Sequence, residues 1–172
     1  MKAYATKLID LTEHNAEKIA RQWAKDVSTN AKTHAYHGAP EERIIRQAVE
    51  FYHNFREMFI NDEPYKQAEK FFEGYAAERY REGIPLHEAV YALILMRRHI
   101  WLYAEFQAIF ITAVEHRHAV ESLSRTILMF DYAMYVTTRK YRELMKMEHL
   151  EQSDSERATE TGLGHPRISP VS

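Results

Sequence analysis

The sequence predicts an all-α fold, an up-and-down helical bundle of about five helices with a disordered C-terminal tail. Three observations predict it. Apolar residues recur at steps of three and four as far as Met147. Helix breakers are scarce: of 172 residues only five are glycine and five proline, and three of the prolines fall in the periodic part. From about Gln152 the chain turns polar, ending "ERATETGLGHPRISPVS". The expected division is therefore a helical domain over 1–149 and a flexible tail over 150–172.

Asp10 and Glu13 read as a variant capping box opening the first helix, whose apolar face is Ala16, Ile19, Ala20, Trp23 and Val27. After a loop, Pro40 opens the second helix, with Glu41 and Glu42 in its first turn, where negative charge suits the helix dipole. Its inward face is Ile44, Ile45, Ala48, Tyr52, Phe55 and Phe59. Asn61-Asp62-Glu63-Pro64 reads as turn and cap. The third helix turns Ala68, Phe71, Phe72, Tyr75 and Ala76 inward, and Gly83 stops it. Pro85 starts the fourth, so close that the two must be antiparallel neighbours. The cluster Glu115–His118 is the candidate turn into a fifth helix ending near Met147.

Composition narrows the function. An apolar fraction of 45% argues against a chain disordered throughout. A net charge of −2 gives no reason to expect nucleic acid or an anionic membrane as partner. The absence of cysteine removes disulfides, thiolate metal sites and a cysteine nucleophile, and fits a cytoplasmic protein. The richest apolar run, Tyr91–Met96, is too short to cross a bilayer.

Three helices carry a charge on the apolar face. At 100° per residue Arg97 falls among Leu86, Val90, Leu93, Ile100, Ala104, Ala108 and Ile111, with Arg98 turned to solvent. Arg79 aligns with Ala68, Phe72 and Tyr75. Asp131 falls among Val120, Leu123, Ile127, Met134 and Thr138. An unpaired buried charge is costly, so each needs a partner. A turn centred on Val114 sets Arg97 level with Asp131, and a buried Arg97–Asp131 ion pair is the expectation. It serves either as a structural lock on helix register or as part of a pocket in which Arg79 or Arg97 grips a small anionic ligand with its planar fork of donors.

The segment "AAERYREGIPLHEAVYALILMRRHIW", Ala76 to Trp101, resembles the N-terminal domain of RsbRD-type co-antagonists of RsbT, which also occurs ahead of some bacterial sensor histidine kinases. The resemblance rests on Arg79 four residues before Gly83-Ile84-Pro85-Leu86, on Arg97-Arg98 with Trp101, on Ile19 with Trp23, and on Phe130-Asp131. It implies a regulatory module of bacterial signal transduction rather than an enzyme. Its partner would be a kinase or a STAS-type protein. The candidate site residues, binding a ligand or forming a structural buried ion pair, are Arg79, Arg97, Asp131, Trp101, Tyr75 and Trp23. The domain normally precedes such an effector, and no STAS-like or kinase-like pattern follows here. On the fifth helix Val120, Ile127, Asp131, Met134, Thr138, Tyr141 and Met145 approximate a 4-3 spacing, read either as one buried face or as the seam of a homodimer.

No catalytic grouping stands out: there is no Ser/His/Asp spacing, no glycine-rich phosphate loop and no paired inward carboxylates. Two Glu-x-x-His pairs, Glu50/His53 and Glu115/His118, suit a di-iron bundle in spacing only, since the first faces away from the core and the second falls in the expected turn. His53 and His99, the mid-helix histidines, read as outward-facing, so neither metal nor haem is expected as a cofactor. A small-ligand or cofactor carrier without signalling output is the alternative function.

Overall fold

The structure, a computed structural model, describes residues 3–60, 64–107 and 111–162. The described residues are all-helical: α1 (Ala3–His14), α2 (Ala16–Val27), α3 (Glu41–His53), α4 (Phe55–Ile60), α5 (Pro64–Arg81), α6 (Leu86–Phe106) and α7 (Ala113–Gly162), with a 3-10 turn at His34–Tyr36. Seven helices replace the expected five because two long runs are broken, each time at an asparagine. The Asn15 amide donates to the Leu11 carbonyl (2.9 Å), and the Asn54 amide to the Glu50 carbonyl (2.7 Å). The backbone N–H of each asparagine bonds the same carbonyl, so the helix is interrupted there without loss of that hydrogen bond. Asp10 and Glu13 do not cap a helix. They lie inside α1 and hold Arg56 of α4, Glu13 at 2.9 Å.

The expected faces of the first three helices pack into one core. Trp23, Ile44, Ala48, Tyr52, Phe55, Ala68, Phe72 and Ala76 are buried, and Phe71 and Tyr75 are half-buried against it. The side chain of Phe59, the Asn61-Asp62-Glu63 turn and Ala108 lie outside the described residues. Phe51, absent from the expected face, is buried at the centre, with ring contacts to Phe55, Phe71, Phe72 and Phe130.

α6 is the post around which the rest is arranged. Three aromatic tips from three helices donate to one line of its carbonyls. Tyr75 of α5 bonds Ala89 (3.0 Å), Trp23 of α2 bonds Ala92 (3.0 Å), and Tyr52 of α3 bonds Met96 (3.3 Å). The small side chains of Ala89 and Ala92 let the rings come that close, and each buried polar tip is satisfied. At the start of α6, Glu88 accepts the Ala35 N–H (2.7 Å) and ties down the loop after α2.

The α5–α6 turn is as expected. Gly83 has φ +73°, the Ile84 N–H bonds the Arg79 carbonyl, and the Gly83 N–H bonds the Tyr80 carbonyl, both at 3.0 Å. That is a Schellman cap, which needs the left-handed glycine.

The α6–α7 turn is not where expected. α6 ends at Phe106 and α7 begins at Ala113, so Glu115–His118 already lie in the helix. The start signal is Thr112-x-x-Glu115: the Thr112 hydroxyl accepts the Glu115 N–H (3.2 Å) and the Glu115 carboxylate accepts the Thr112 N–H (2.9 Å). This is a reciprocal capping box. At its other end α7 runs past Met147 to Gly162, so residues 150–162 are helical rather than irregular. The last core residue it supplies is Tyr141, whose hydroxyl bonds the Ile84 carbonyl (2.9 Å).

The buried face of α7 also differs from the expected one. It is Ser122, Thr126, Met129, Phe130, Ala133, Val136, Thr137 and Tyr141. Val120, Leu123, Ile127 and Thr138 are exposed and Met134 half-buried, which turns the helix by roughly 100° from the expected orientation. Small and hydroxyl-bearing side chains occupy the interior because α7 packs closely along α5, α6 and α1. Thr126 satisfies its hydroxyl on the Ser122 carbonyl (2.8 Å). On the α6 side, Ile111 lies beyond the helix and is exposed. His99 is buried, not outward-facing.

Candidate functional site

Two groups form from the site residues expected in sequence. The first centres on Arg79, which is 1% exposed. Its position in the last turn of α5 is set by the Gly83 cap, and its side chain reaches back toward α3. Nη1 donates to the Gln47 side-chain oxygen, Nη2 lies 3.2 Å from Glu78 and Nε 3.1 Å from Glu82. The guanidinium sits over the Tyr75 ring, 5.3 Å from its centre. Gln47 serves both signs: its oxygen accepts from Arg79 while its nitrogen donates to Glu82 (3.2 Å). Arg43 of α3 approaches the same Glu82 at 3.6 Å. The network couples α3 to α5 and leaves Arg79 charge-balanced. Next to it, burial pushes the Tyr36 phenol well above its usual range, with Tyr75 adding to the rise, so Tyr36 stays protonated. Trp23 meets the Tyr36 ring edge-on at 6.4 Å.

A cleft of about 340 Å³ opens beside Arg79 between α3, α4 and α5. Its walls include Glu50, Glu57, Lys70, Phe71 and Gly74. Apart from its own chain neighbours and the adjacent helix backbone, no atom lies within 4 Å of where a Cβ on Gly74 would stand, so that wall is open. Counting Glu78, three carboxylates line the cleft against Lys70 and an already balanced Arg79.

The second group is Arg97, Asp131 and Trp101. Arg97 does meet Asp131, Nη1 to Oδ1 at 3.4 Å, but the pair lies at the rim: the side chains are 25% and 55% exposed. This corrects the expected buried pair. The buried arc of α6 runs through Leu93, Met96, His99 and Tyr103, and Arg97 stands at its edge. The level match arises although the turn is elsewhere. Arg97 is nine residues before the end of α6 and Asp131 eighteen after the start of α7, so α7 begins about 13 Å beyond the end of α6 at 1.5 Å per residue. α1 covers the overhang, with Lys7 on Glu115 at 2.6 Å. Trp101, one turn along α6 from Arg97, is half-buried against the core.

Sequence reasoning missed the partners of Arg79. Gln47 and Glu82 are polar residues at the edges of apolar stripes, where most such residues are simply solvated. It also missed two further arginine clamps between helices: Arg56 on Asp10 and Glu13, and Arg139 of α7 on Glu69 and Glu73 of α5, both at 2.7 Å. His99 Nε2–H donates to the Asp26 carboxylate at Oδ2 (2.9 Å), joining α6 to α2. Among the described residues no three or more His, Asp or Glu side chains are grouped to hold a metal ion. None of the helices there is long and apolar enough to cross a membrane.

The class these features define is structural: a helical body with a charge-balanced arginine network, a polar cleft and one helix running on beyond the core. The chain belongs to the family described as the RsbT co-antagonist protein rsbRD N-terminal domain, which matches residues 17–143. No curated protein and no solved structure matches it.

Proposed function

We propose that this chain is a non-catalytic, cytoplasmic regulatory domain of bacterial signal transduction, of the stress-response or two-component type, built as an up-and-down bundle. It acts by binding a signalling protein, a kinase or a STAS-type protein. The family match over residues 17–143 carries this reading. The course of α7 supports it, because that helix packs along α5 and α6 and then leaves the core after Tyr141. A shift of α5 would thus be transmitted along α7 to whatever it contacts. The test is biolayer interferometry of the purified chain against an RsbT-type kinase and a STAS-domain protein from the same organism. Saturable binding to one of them, at about micromolar Kd or tighter, is the expected result. No binding to either overturns the proposal.

A second reading, a small-ligand binding domain, draws on the cleft between α3, α4 and α5. The expectation of an anionic ligand on Arg79 fits its surroundings poorly, since Glu78 and Glu82 already take the guanidinium and Glu50 and Glu57 add negative charge. An ammonium-bearing ligand, its apolar part against Phe71, suits the lining better. Thermal shift with aliphatic diamines against dicarboxylates separates the two: a rise with diamines alone, lost in Glu50→Gln/Glu57→Gln, is expected. A rise with dicarboxylates alone overturns the assignment.

A further inference from the structure

The outer face of α7 carries the largest concentration of exposed apolar side chains among the described residues. Val120 is 65% exposed, Leu128 and Tyr135 each 59%, and Leu123 and Ile127 flank them at 38% each. Isolated exposed apolar residues are ordinary, but five within sixteen residues of one helix form a patch. The stripe that faces directly outward is Arg117, Val120, Ser124, Leu128, Asp131 and Tyr135. Its steps of 3, 4, 4, 3 and 4 residues keep it within one narrow arc of the helix. All six are exposed.

The stripe is complementary to itself when reversed about Ser124. Residues equally far from Ser124 on either side then meet: Val120 faces Leu128, and Arg117 faces Asp131. The charged ends carry opposite signs, and the apolar residues lie between them. At the centre a serine is small enough to let two helices approach closely. A parallel pairing would instead set Arg117 on Arg117 and Asp131 on Asp131, which repel. Asp131 keeps the capacity for a second partner, since it touches Arg97 at 3.4 Å yet stays 55% exposed.

We infer that the face of α7 from Arg117 to Tyr135 is a self-association surface. A second copy of this chain packs on it antiparallel, with the two-fold axis at Ser124. This surface differs from the dimer seam suggested by the 4-3 spacing, because Tyr141 of that seam is spent in the chain's own core. It also does not depend on the signalling reading: a chain that dimerises but binds no kinase or STAS protein fails only that proposal, and the converse holds.

The test is sedimentation equilibrium of the full chain over a concentration series. The wild type is expected to dimerise. Leu128→Glu, at an exposed position that leaves the core intact, is expected to raise the dissociation constant about tenfold or more, with unchanged helical circular dichroism. Arg117→Asp and Asp131→Arg should each weaken the dimer, and the double reversal should restore it to within about threefold. Because the chain has no cysteine, Ser124→Cys provides an independent readout. Mild oxidation should give a disulfide-linked dimer, while Thr138→Cys, also exposed on α7, should not. A monomeric wild type, or a dimer indifferent to Leu128→Glu, overturns the surface. Failure of both the double reversal and the Ser124 cross-link overturns the antiparallel register.

Discussion

Arg79 and Arg97 stand on equivalent lines of their helices, each flanked by apolar residues one turn away. Yet Arg79 is enclosed and Arg97 sits at the rim. The difference lies in what packs beside them. Arg79 is overlaid by α3; Gln47 and Glu78 accept from its donors and Glu82 lies beside Nε as a counter-charge. Arg97 faces the seam between α6 and α7, where the α7 residue opposite is itself half in water. An apolar stripe on one helix therefore indicates that the residue is near an interface. Whether it is inside depends on the neighbour.

The largest effect is expected at Arg79. Arg79→Ala is expected to cost about 3 kcal/mol, at the low end for breaking a buried pair because Glu78 and Glu82 can be rehydrated. In a chain of this size that is a fall in Tm of about 6–12 °C by calorimetry. A loss no larger than that of a surface variant would show that the network contributes nothing net. Next is Gly83→Ala, which places a Cβ at φ +73° in the cap beneath Arg79 and is expected to cost about 1–2 kcal/mol in urea denaturation. Thr112→Ala removes one half of the α7 capping box and should cost about 1 kcal/mol; faster amide exchange in the first turn of α7 would locate the effect.

The smallest energetic change is expected at the rim. Asp131→Asn should cost under about 1 kcal/mol and less still at high salt. A loss of about 3 kcal/mol or more would mean the pair is buried after all. The final test is with pH. The Lys7 ammonium, together with the Thr112 and Ile111 N–H groups, holds the Glu115 carboxyl at about 2, below its ordinary 4.5. Its contribution is therefore complete above about pH 4.5 and is lost as pH falls toward 2. Fraying at the start of α7 over that interval, absent in Glu115→Gln, is the expected result by pH-resolved amide exchange.

Much of this was legible in the sequence. The inward faces of α2, α3 and α5 could be read because bulky residues repeat there with little competition: Ile19 with Trp23, Ile44 with Ala48 and Tyr52, Ala68 with Phe72 and Ala76. The Gly83 turn could be read because only glycine takes that backbone conformation easily. α7 could not. Its buried side uses Ser122, Thr126, Ala133 and Thr137, while Val120, Leu123 and Ile127 point away, so hydrophobicity marked the wrong side. The two breaks fall at Asn15 and Asn54, inside runs whose apolar spacing continues across them, so spacing does not reveal them. Thr112-x-x-Glu115 was a readable start signal, masked by the more conspicuous polar cluster beside it.

By itself, then, the sequence determined the all-helical fold, its punctuation by Gly83 and Pro85, the charges that need partners, and the family, because these follow from local propensity and from residues close together in the chain. Tertiary structure alone decided which arginine is enclosed, which carboxylates surround it, and which way α7 faces. Those outcomes depend on the approach of helices distant in sequence, and a rotation of about one residue step, 100°, is enough to exchange inside for outside.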